Sequence, residues 1–511
     1  MDSDKFQIFQ DAAATNLWSA ILPEMLVAFL ALGLLVLEMV LPKEKQRLIP
    51  TLATWGMAAI LAWFLIFFFR GGGGHLGTQT FSGMLLHDAF GQTMRAYFLL
   101  SGILVCFLGQ LTLDRTSLPR TEFFHITLVL TAGMMLLVQS HNFVMLFVAL
   151  ETVTIGFYVL VSYFRHSTIS LEAGLKYLVQ SAISAALLLF GIVILYGVAG
   201  NPELIGSTAH AMDFSALRVF LEANSGNQLV LVGMALVLAG VSFKIAAVPF
   251  HIWVPDVYQG APMPITAFLA VASKAAGFGV LLVLVRNVFA PLQGVLQPIL
   301  VVVAILTIAV GNLAALNQPN TKRLMGLSGV AHAGYLLLGV AAVFVVDWAA
   351  GAVVFYLFTY LLGAFAVFGV MTHVGGGEGH GDQRIDHFAN LGTRSPFLAF
   401  VLVVGLGSLA GIPPLAGFIG KLLLFIAAFQ AELYLLLAVA VIGVVVSIYY
   451  YFGWMKTAVF RLWQVDAESK DVLRDLPALG TTSRWILTAL TVLTIVFGVF
   501  QGTFTTWLAG L

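Results

Sequence analysis

The hydrophobic positions of this chain fall in long, nearly unbroken runs separated by short polar stretches. A bilayer core of about 30 Å takes roughly 20 apolar residues of helix to cross. Fourteen runs meet that requirement, near 18–41, 49–69, 92–113, 122–139, 142–164, 171–199, 228–249, 265–288, 297–316, 322–345, 348–372, 396–429, 432–456 and 484–508. The 396–429 run is too long for one straight crossing and predicts a break inside it. The pattern predicts an all-α polytopic membrane protein of about fourteen transmembrane helices.

Composition supports this reading and removes several functions. Of 511 residues, 60% are hydrophobic and 9% charged, with mean hydropathy +0.99; soluble domains carry roughly 25% charged residues. The formal net charge is zero, so nothing favours nucleic acid. A lone cysteine, Cys106, excludes a disulfide framework, a CxxC metal site or a four-thiolate iron–sulfur cluster within this chain. No glycine-rich turn between a strand and a helix suggests a nucleotide site. Any redox chemistry therefore belongs to another chain. The N-terminus, MDSDKFQIFQD, is acidic and lacks the basic region of a cleaved signal.

Lysine and arginine bias sets orientation. Loops after odd-numbered helices carry fifteen: Lys43, Lys45, Arg47, Arg115, Arg120, Arg165, Lys322, Arg323, Arg384, Arg394, Lys456, Arg461, Lys470, Arg474 and Arg484. The opposite side carries five: Lys5, Arg70, Arg95, Arg218 and Arg286. The excess places the odd loops in the cytoplasm and both termini outside. GGGG (71–74) and GGGEGHGD (375–382) read as flexible solvated linkers, and the polar stretch Asp466–Leu479 reads as a surface segment at the membrane edge.

Four lysines and one glutamate stand out inside the apolar runs: Glu151, Lys176, Lys244, Lys274 and Lys421. His332 adds a sixth titratable group. A charge at the centre of a membrane helix costs roughly 2.5–3.5 kcal/mol on insertion scales. Each has an ordinary structural alternative. Lys176 can pair with Glu172 one turn earlier and reach its ammonium to the surface. His332, near Ser328, can be a hydrogen-bonded core histidine. Glu151 and Lys244 can be a static pair that fixes packing, and Lys274 and Lys421 can be paired structurally. A proton relay accounts for all six with one cause, because intramembrane ionisable chains mark such paths.

Two of the lysines lie beside interrupted helices. VSFKIAAVPFHIWVPDVYQGAP (241–262) carries Lys244 and then prolines at 249, 255 and 262; GSLAGIPPLAGFIGK (407–421) has glycines and paired prolines just before Lys421. Breaks at corresponding places in two halves mark inverted-repeat transporters. Helices four to eight (122–288) and nine to thirteen (297–456) form two sets of five that start on opposite sides, with the break in the fourth member of each. Residues 1–121 supply three preceding helices, and 457–511 a surface segment and the last helix. Irregular backbone at membrane depth is tolerated only inside protein or beside a wet cavity. Water held there, and the approach or withdrawal of Glu151, would load and release a proton on Lys244.

KIAAVPFHIWVPDVYQGAP resembles the broken-helix signature of the antiporter-like subunits of proton-pumping NADH–quinone oxidoreductase, respiratory complex I. The resemblance spans essentially the whole chain. Among the three paralogous types it is most similar to type N (chain 2): no lateral helix follows helix fourteen, Lys421 stands where another type carries glutamate, and Lys176 matches a sixth-helix lysine. The resemblance implies that Glu151 modulates the pump lysine Lys244, that Lys274 and His332 connect the halves, and that Lys421 exchanges with the outside. It implies no cofactor in this chain, with FMN and iron–sulfur clusters on partner subunits. It also implies neighbouring complex I membrane subunits as partners, NADH and quinone as substrates of the whole complex, and a bacterial inner membrane with both termini periplasmic. The alternatives are a subunit of a multi-subunit cation/proton antiporter or of a membrane-bound hydrogenase, and a scaffold whose buried ions only fix packing.

Overall fold

The computed structural model describes residues 10, 13–42, 45–69, 76–116, 118–375, 383–460, 476, 478–508 and 510. The glycine stretch 71–74, residues 376–382 and most of the 466–479 segment lie outside the described residues. The crossings are α1 (Leu22–Val40), α2 (Ile49–Phe69), α3 (Ala89–Leu113), α4 (Thr121–Leu137), α5 (Phe143–Val161), α6 (Thr168–Ala199), α7a (Gln228–Ile245) with α7b (Val254–Gly260), and α8 (Met263–Asn287). They continue with α9 (Gln293–Ala315), α10 (Thr321–Ala342), α11 (Ala349–Val374), α12a (Pro396–Ala410) with α12b (Ala416–Gln430), α13 (Tyr434–Val459) and α14 (Thr481–Val499). All fourteen apolar runs are helical, and the long twelfth one is broken.

The polar stretches between runs are short because several serve as helix caps. The side chains of Asp88, Asn142, Ser167, Asn227 and Asn320 accept from the first backbone N–H groups of α3, α5, α6, α7a and α10. Each such cap contributes about 1 kcal/mol and satisfies donors that lipid would leave bare.

Three crossings form the axis. α8, α10 and α11 are buried along essentially their whole length, while the others present apolar flanks outward. The two halves pack in parallel ways: α4 on α5 and α6 on α7a in the first, α9 on α10 and α11 on α12a in the second. Across the seam, α7b packs against α10.

Both breaks are built alike. Ala246 ends α7a in left-handed backbone, φ 59°, and Gly411 ends α12a at φ 85°. For an L-residue such as Ala246 that conformation costs roughly 1–2 kcal/mol. Prolines follow at once, with cis bonds at Val248–Pro249 and Pro413–Pro414.

Arg95 sits in the second turn of α3 rather than in a loop. It is fully buried and holds Glu24 through two bonds of 2.7 and 2.8 Å. Gln139, just past the end of α4, donates to the same carboxylate at 2.8 Å, so the pair fastens α1 and α3 to the end of α4. Lys322 and Arg323 likewise belong to the first turn of α10, and Lys322 is buried. Both positions border polar loops in sequence, which is why they read as loop charges.

One face of the bundle is closed by a hairpin of β1 (Thr78–Thr80) and β2 (Leu85–His87) and by the short helix Phe214–Ala223. Asn142 bonds Asp213 there. The opposite face carries Lys176, Asp256 and Arg323.

Candidate functional site

Lys244 occupies the last turn of α7a, and its ammonium leaves the helix sideways. It donates to the Thr154 hydroxyl of α5, and the Tyr177 ring lies 6.0 Å away. Thr154 passes its own proton to the Leu150 carbonyl at 2.7 Å, so its oxygen is free to accept. Glu151 lies three residues before Thr154 on the same helical face. It forms no ion pair with Lys244 within the described residues, and its Oε1 is buried without a hydrogen-bond partner. The Lys244 ammonium is thus bonded to the hydroxyl one turn beyond Glu151 rather than to the carboxylate itself.

Lys274 follows a one-turn π-bulge at Leu269–Ser273 in α8. Such bulges rotate the residues after them and recur at functional positions. Its Nζ donates to the Gly329 carbonyl of α10 at 2.6 Å and lies 5.2 Å from the Tyr360 ring. His332, one turn further along α10, is buried. Its Nδ1 meets the Tyr356 hydroxyl at 2.5 Å and its Nε2 the Tyr451 hydroxyl at 3.1 Å. Tyr360 and Tyr335 flank the imidazole with ring separations of 4.9 and 6.0 Å.

Lys421, in the second turn of α12b, reaches back across the break. It donates to Leu409 O at 2.9 Å and Ala410 O at 3.0 Å, two of the unpaired carbonyls at the C-terminus of α12a. That end of a helix carries partial negative charge, which favours an ammonium. The Tyr335 ring lies 5.1 Å from it. Lys274, Tyr360, His332, Tyr335 and Lys421 therefore form a continuous buried line through the second half.

Lys176 stands apart from that line. Its ammonium pairs with Glu172 and with Asp256, both at 2.7 Å, and the side chain is 39% exposed. The i,i+4 pair expected from the sequence is present, joined by a second carboxylate from α7b. Asp256 also pairs with Arg323 at 2.7 Å. The structure brings Lys244 close to the Glu151 face and joins Lys274, His332 and Lys421 through aromatic rings. It leaves Lys176 at the edge of the bundle.

Sequence reasoning did not find Asp256, Lys322, Gly329 or the tyrosines. Asp256 lies inside the quoted broken-helix stretch and carried a signal, a carboxylate beside a membrane break. The tyrosines count as apolar in a hydropathy reading and give none.

Fourteen crossings, two of them broken beside intramembrane lysines, define the antiporter-like class of ion-translocating membrane subunits. Residues 140–447 match the family model described as NADH:quinone oxidoreductase/Mrp antiporter, TM. The chain is 56% identical over 497 residues to NADH-quinone oxidoreductase subunit N 1 of Opitutus terrae, covering 97% of this chain and 98% of that one. A chain of respiratory complex I from Thermus thermophilus, solved with bound aureothin, superposes with a TM-score of 0.77 at 29% identity, over 95% of this chain and 98% of that chain. A chain of the Mrp complex from Dietzia sp. DQ12-45-1b shares the fold, with a TM-score of 0.77 at 21% identity over 97% of each chain. The protein belongs to the family of NADH-quinone oxidoreductase subunit N.

Proposed function

We propose that this chain translocates protons as a membrane subunit of NADH-quinone oxidoreductase, along Glu151, Lys176, Lys244, Lys274, His332 and Lys421. The observation that carries the reading is the buried line from Lys274 through His332 to Lys421. There the ammonium groups, among the described residues, bond only carbonyl oxygens and rest against tyrosine rings. A lysine that only fixed packing would be expected to face a carboxylate, because a buried unpaired charge is costly.

The path has two halves that correspond to 122–288 and 297–456. Glu151 and Lys244 serve the first; Lys274 and His332 connect to Lys421 in the second. The hydroxyl of Thr154 holds the Lys244 ammonium at the helix that carries Glu151. Neighbouring titrating groups of this kind load and release protons as a coupled set. Lys176 stands at the cytoplasmic end, on the side that the lysine and arginine excess assigns to the cytoplasm.

Electron transfer from NADH to quinone takes place on partner subunits that carry FMN and iron–sulfur clusters. The neighbours of this chain are other membrane subunits of the complex, in a bacterial inner membrane, with both termini on the periplasmic side. The 56% identity to a subunit N across nearly the full chain supports this reading over an antiporter or hydrogenase subunit.

Membrane vesicles carrying Lys244→Ala test it. NADH-driven quinone reduction is compared with NADH-driven proton uptake, and assembly is followed on a native gel. The expected result is an assembled complex with proton uptake sharply reduced. Normal proton uptake in the assembled variant would overturn the reading.

A further inference from the structure

We propose that Asp256 is a positioning residue for proton transfer, the carboxylate that ties the break in the first half of the chain to α10 in the second. The inference rests on the proton path above.

The helix after the first break, α7b, is seven residues long and has Pro255 in its first turn. Isolated helices shorter than about 12–15 residues are marginal in water, so α7b depends on what holds it. Three cations from other elements do. Asp256 Oδ2 meets Lys176 of α6 at 2.7 Å, and Asp256 Oδ1 meets Arg323 of α10 at 2.7 Å. Arg323 Nη1 also donates to Gln259 Oε1 at 2.9 Å. Lys322 Nζ donates to the carbonyls of Gln259 at 2.9 Å and Ala261 at 2.6 Å, at the C-terminal end of α7b.

The far partner gives these contacts a consequence. α10 runs without interruption from Thr321 to Ala342 and is packed on all sides. It carries Arg323, the Gly329 carbonyl that accepts from Lys274, and His332. Arg323 and Gly329 are separated by about 9 Å of helix at 1.5 Å per residue. A shift of α7b that pulls on Arg323 therefore moves the acceptor of Lys274.

Side-chain exposures of 36% for Asp256, 39% for Lys176 and 30% for Arg323 are too great for a large packing contribution. Exposed pairs contribute about 0–1 kcal/mol, so removal of one partner is compatible with assembly.

The test uses the whole complex in membrane vesicles, with Asp256→Asn, Asp256→Glu, Arg323→Gln and Glu172→Gln, and Glu151→Gln as reference. Assembly, NADH–quinone reduction and protons taken up per NADH are measured. Asp256→Asn and Arg323→Gln should assemble and reduce quinone while protons per NADH fall by about twofold or more. Asp256→Glu should recover part of the loss, and Glu172→Gln should pump as the parent does. Unchanged proton uptake in Asp256→Asn, or an equal loss in Glu172→Gln, overturns the inference and leaves the proton path standing. If Asp256→Asn does not assemble, Arg323→Gln decides in the same way, because Asp256 then keeps Lys176. Normal pumping by Glu151→Gln overturns the proton path and this inference with it.

Discussion

Gly329→Ala separates the position of one buried ammonium from the integrity of the bundle. Lys274 Nζ donates to the Gly329 carbonyl at 2.6 Å. A Cβ on Gly329 would stand 2.7 Å from that Nζ and 3.4 Å from the Tyr360 hydroxyl, with no backbone of another helix within 4 Å. The methyl group therefore fits the bundle and displaces only the tip of a flexible side chain. Helix propensity favours the substitution by as much as about 1 kcal/mol. The ammonium, a charged donor, loses its hydrogen bond to a carbonyl, worth about 1.5–3 kcal/mol. Expressed in full at the proton step, that loss slows transfer roughly 10- to 150-fold, since about 1.4 kcal/mol is a factor of ten; water entering beside Lys274 reduces it. Vesicle proton uptake is the assay, with NADH–quinone reduction and heat inactivation measured on the same membranes. Uptake should fall while heat resistance holds. Gly311→Ala is the contrast: its Cβ would meet Ala331 N of α10 at 2.5 Å, so α9 and α10 must part and assembly should fail. Full proton uptake by Gly329→Ala would refute the role assigned to the Lys274 contact.

Two further outcomes follow from buried partners. Arg95→Met should lower stability by about 3–5 kcal/mol by stranding Glu24, whereas Glu24→Leu with Arg95→Met should regain most of it; a double-mutant cycle in denaturant unfolding reads the coupling. Tyr356→Phe removes the hydroxyl at His332 Nδ1 and should slow proton uptake by about tenfold, for a bond of about 1–1.5 kcal/mol, with assembly intact on a native gel; uptake equal to the parent would remove Tyr356 from the path.

The crossings were legible because lipid leaves so little choice. Runs of apolar residues must be helical, and a run holding Gly411, Pro413 and Pro414 cannot stay straight. The lysines were legible as exceptions within those runs. Their partners were not. Asp256 meets Lys176 and Arg323 across 80 and 67 residues, a pairing that only tertiary packing creates. Glu172, four residues before Lys176, was visible because helical spacing alone brings it there. Arg95 and Lys322 lie at the polar borders of their runs, where composition cannot distinguish the last loop residue from the first buried turn. The π-bulge before Lys274 leaves no mark in LAVAS, a stretch of small and apolar residues.

The two breaks resemble each other, yet their lysines are held differently, and the difference follows from the side of the break on which each lysine stands. A helix that stops within the membrane leaves carbonyls that lipid cannot satisfy. In α12a the lysine itself supplies the donors: Lys421 binds Leu409 O and Ala410 O and is fixed by both. In α7a the groups beyond the break reach carbonyls further from the helix end, as Gly411 N and Ile412 N do in α12a. Trp253 Nε1 donates to Phe243 O at 3.3 Å, and Ala246 N and Ala247 N donate to Phe243 O and Ser242 O. The Lys244 ammonium, which stands before its break rather than beyond it, keeps a single hydrogen bond among the described residues, to Thr154, on the helix that carries Glu151. A lysine tied to two carbonyls resists displacement, while one tied to a single hydroxyl can follow a carboxylate. On the proposed path the mobile step is therefore assigned to the first break and the fixed terminus to the second, even though the two sequences interrupt their helices by the same means.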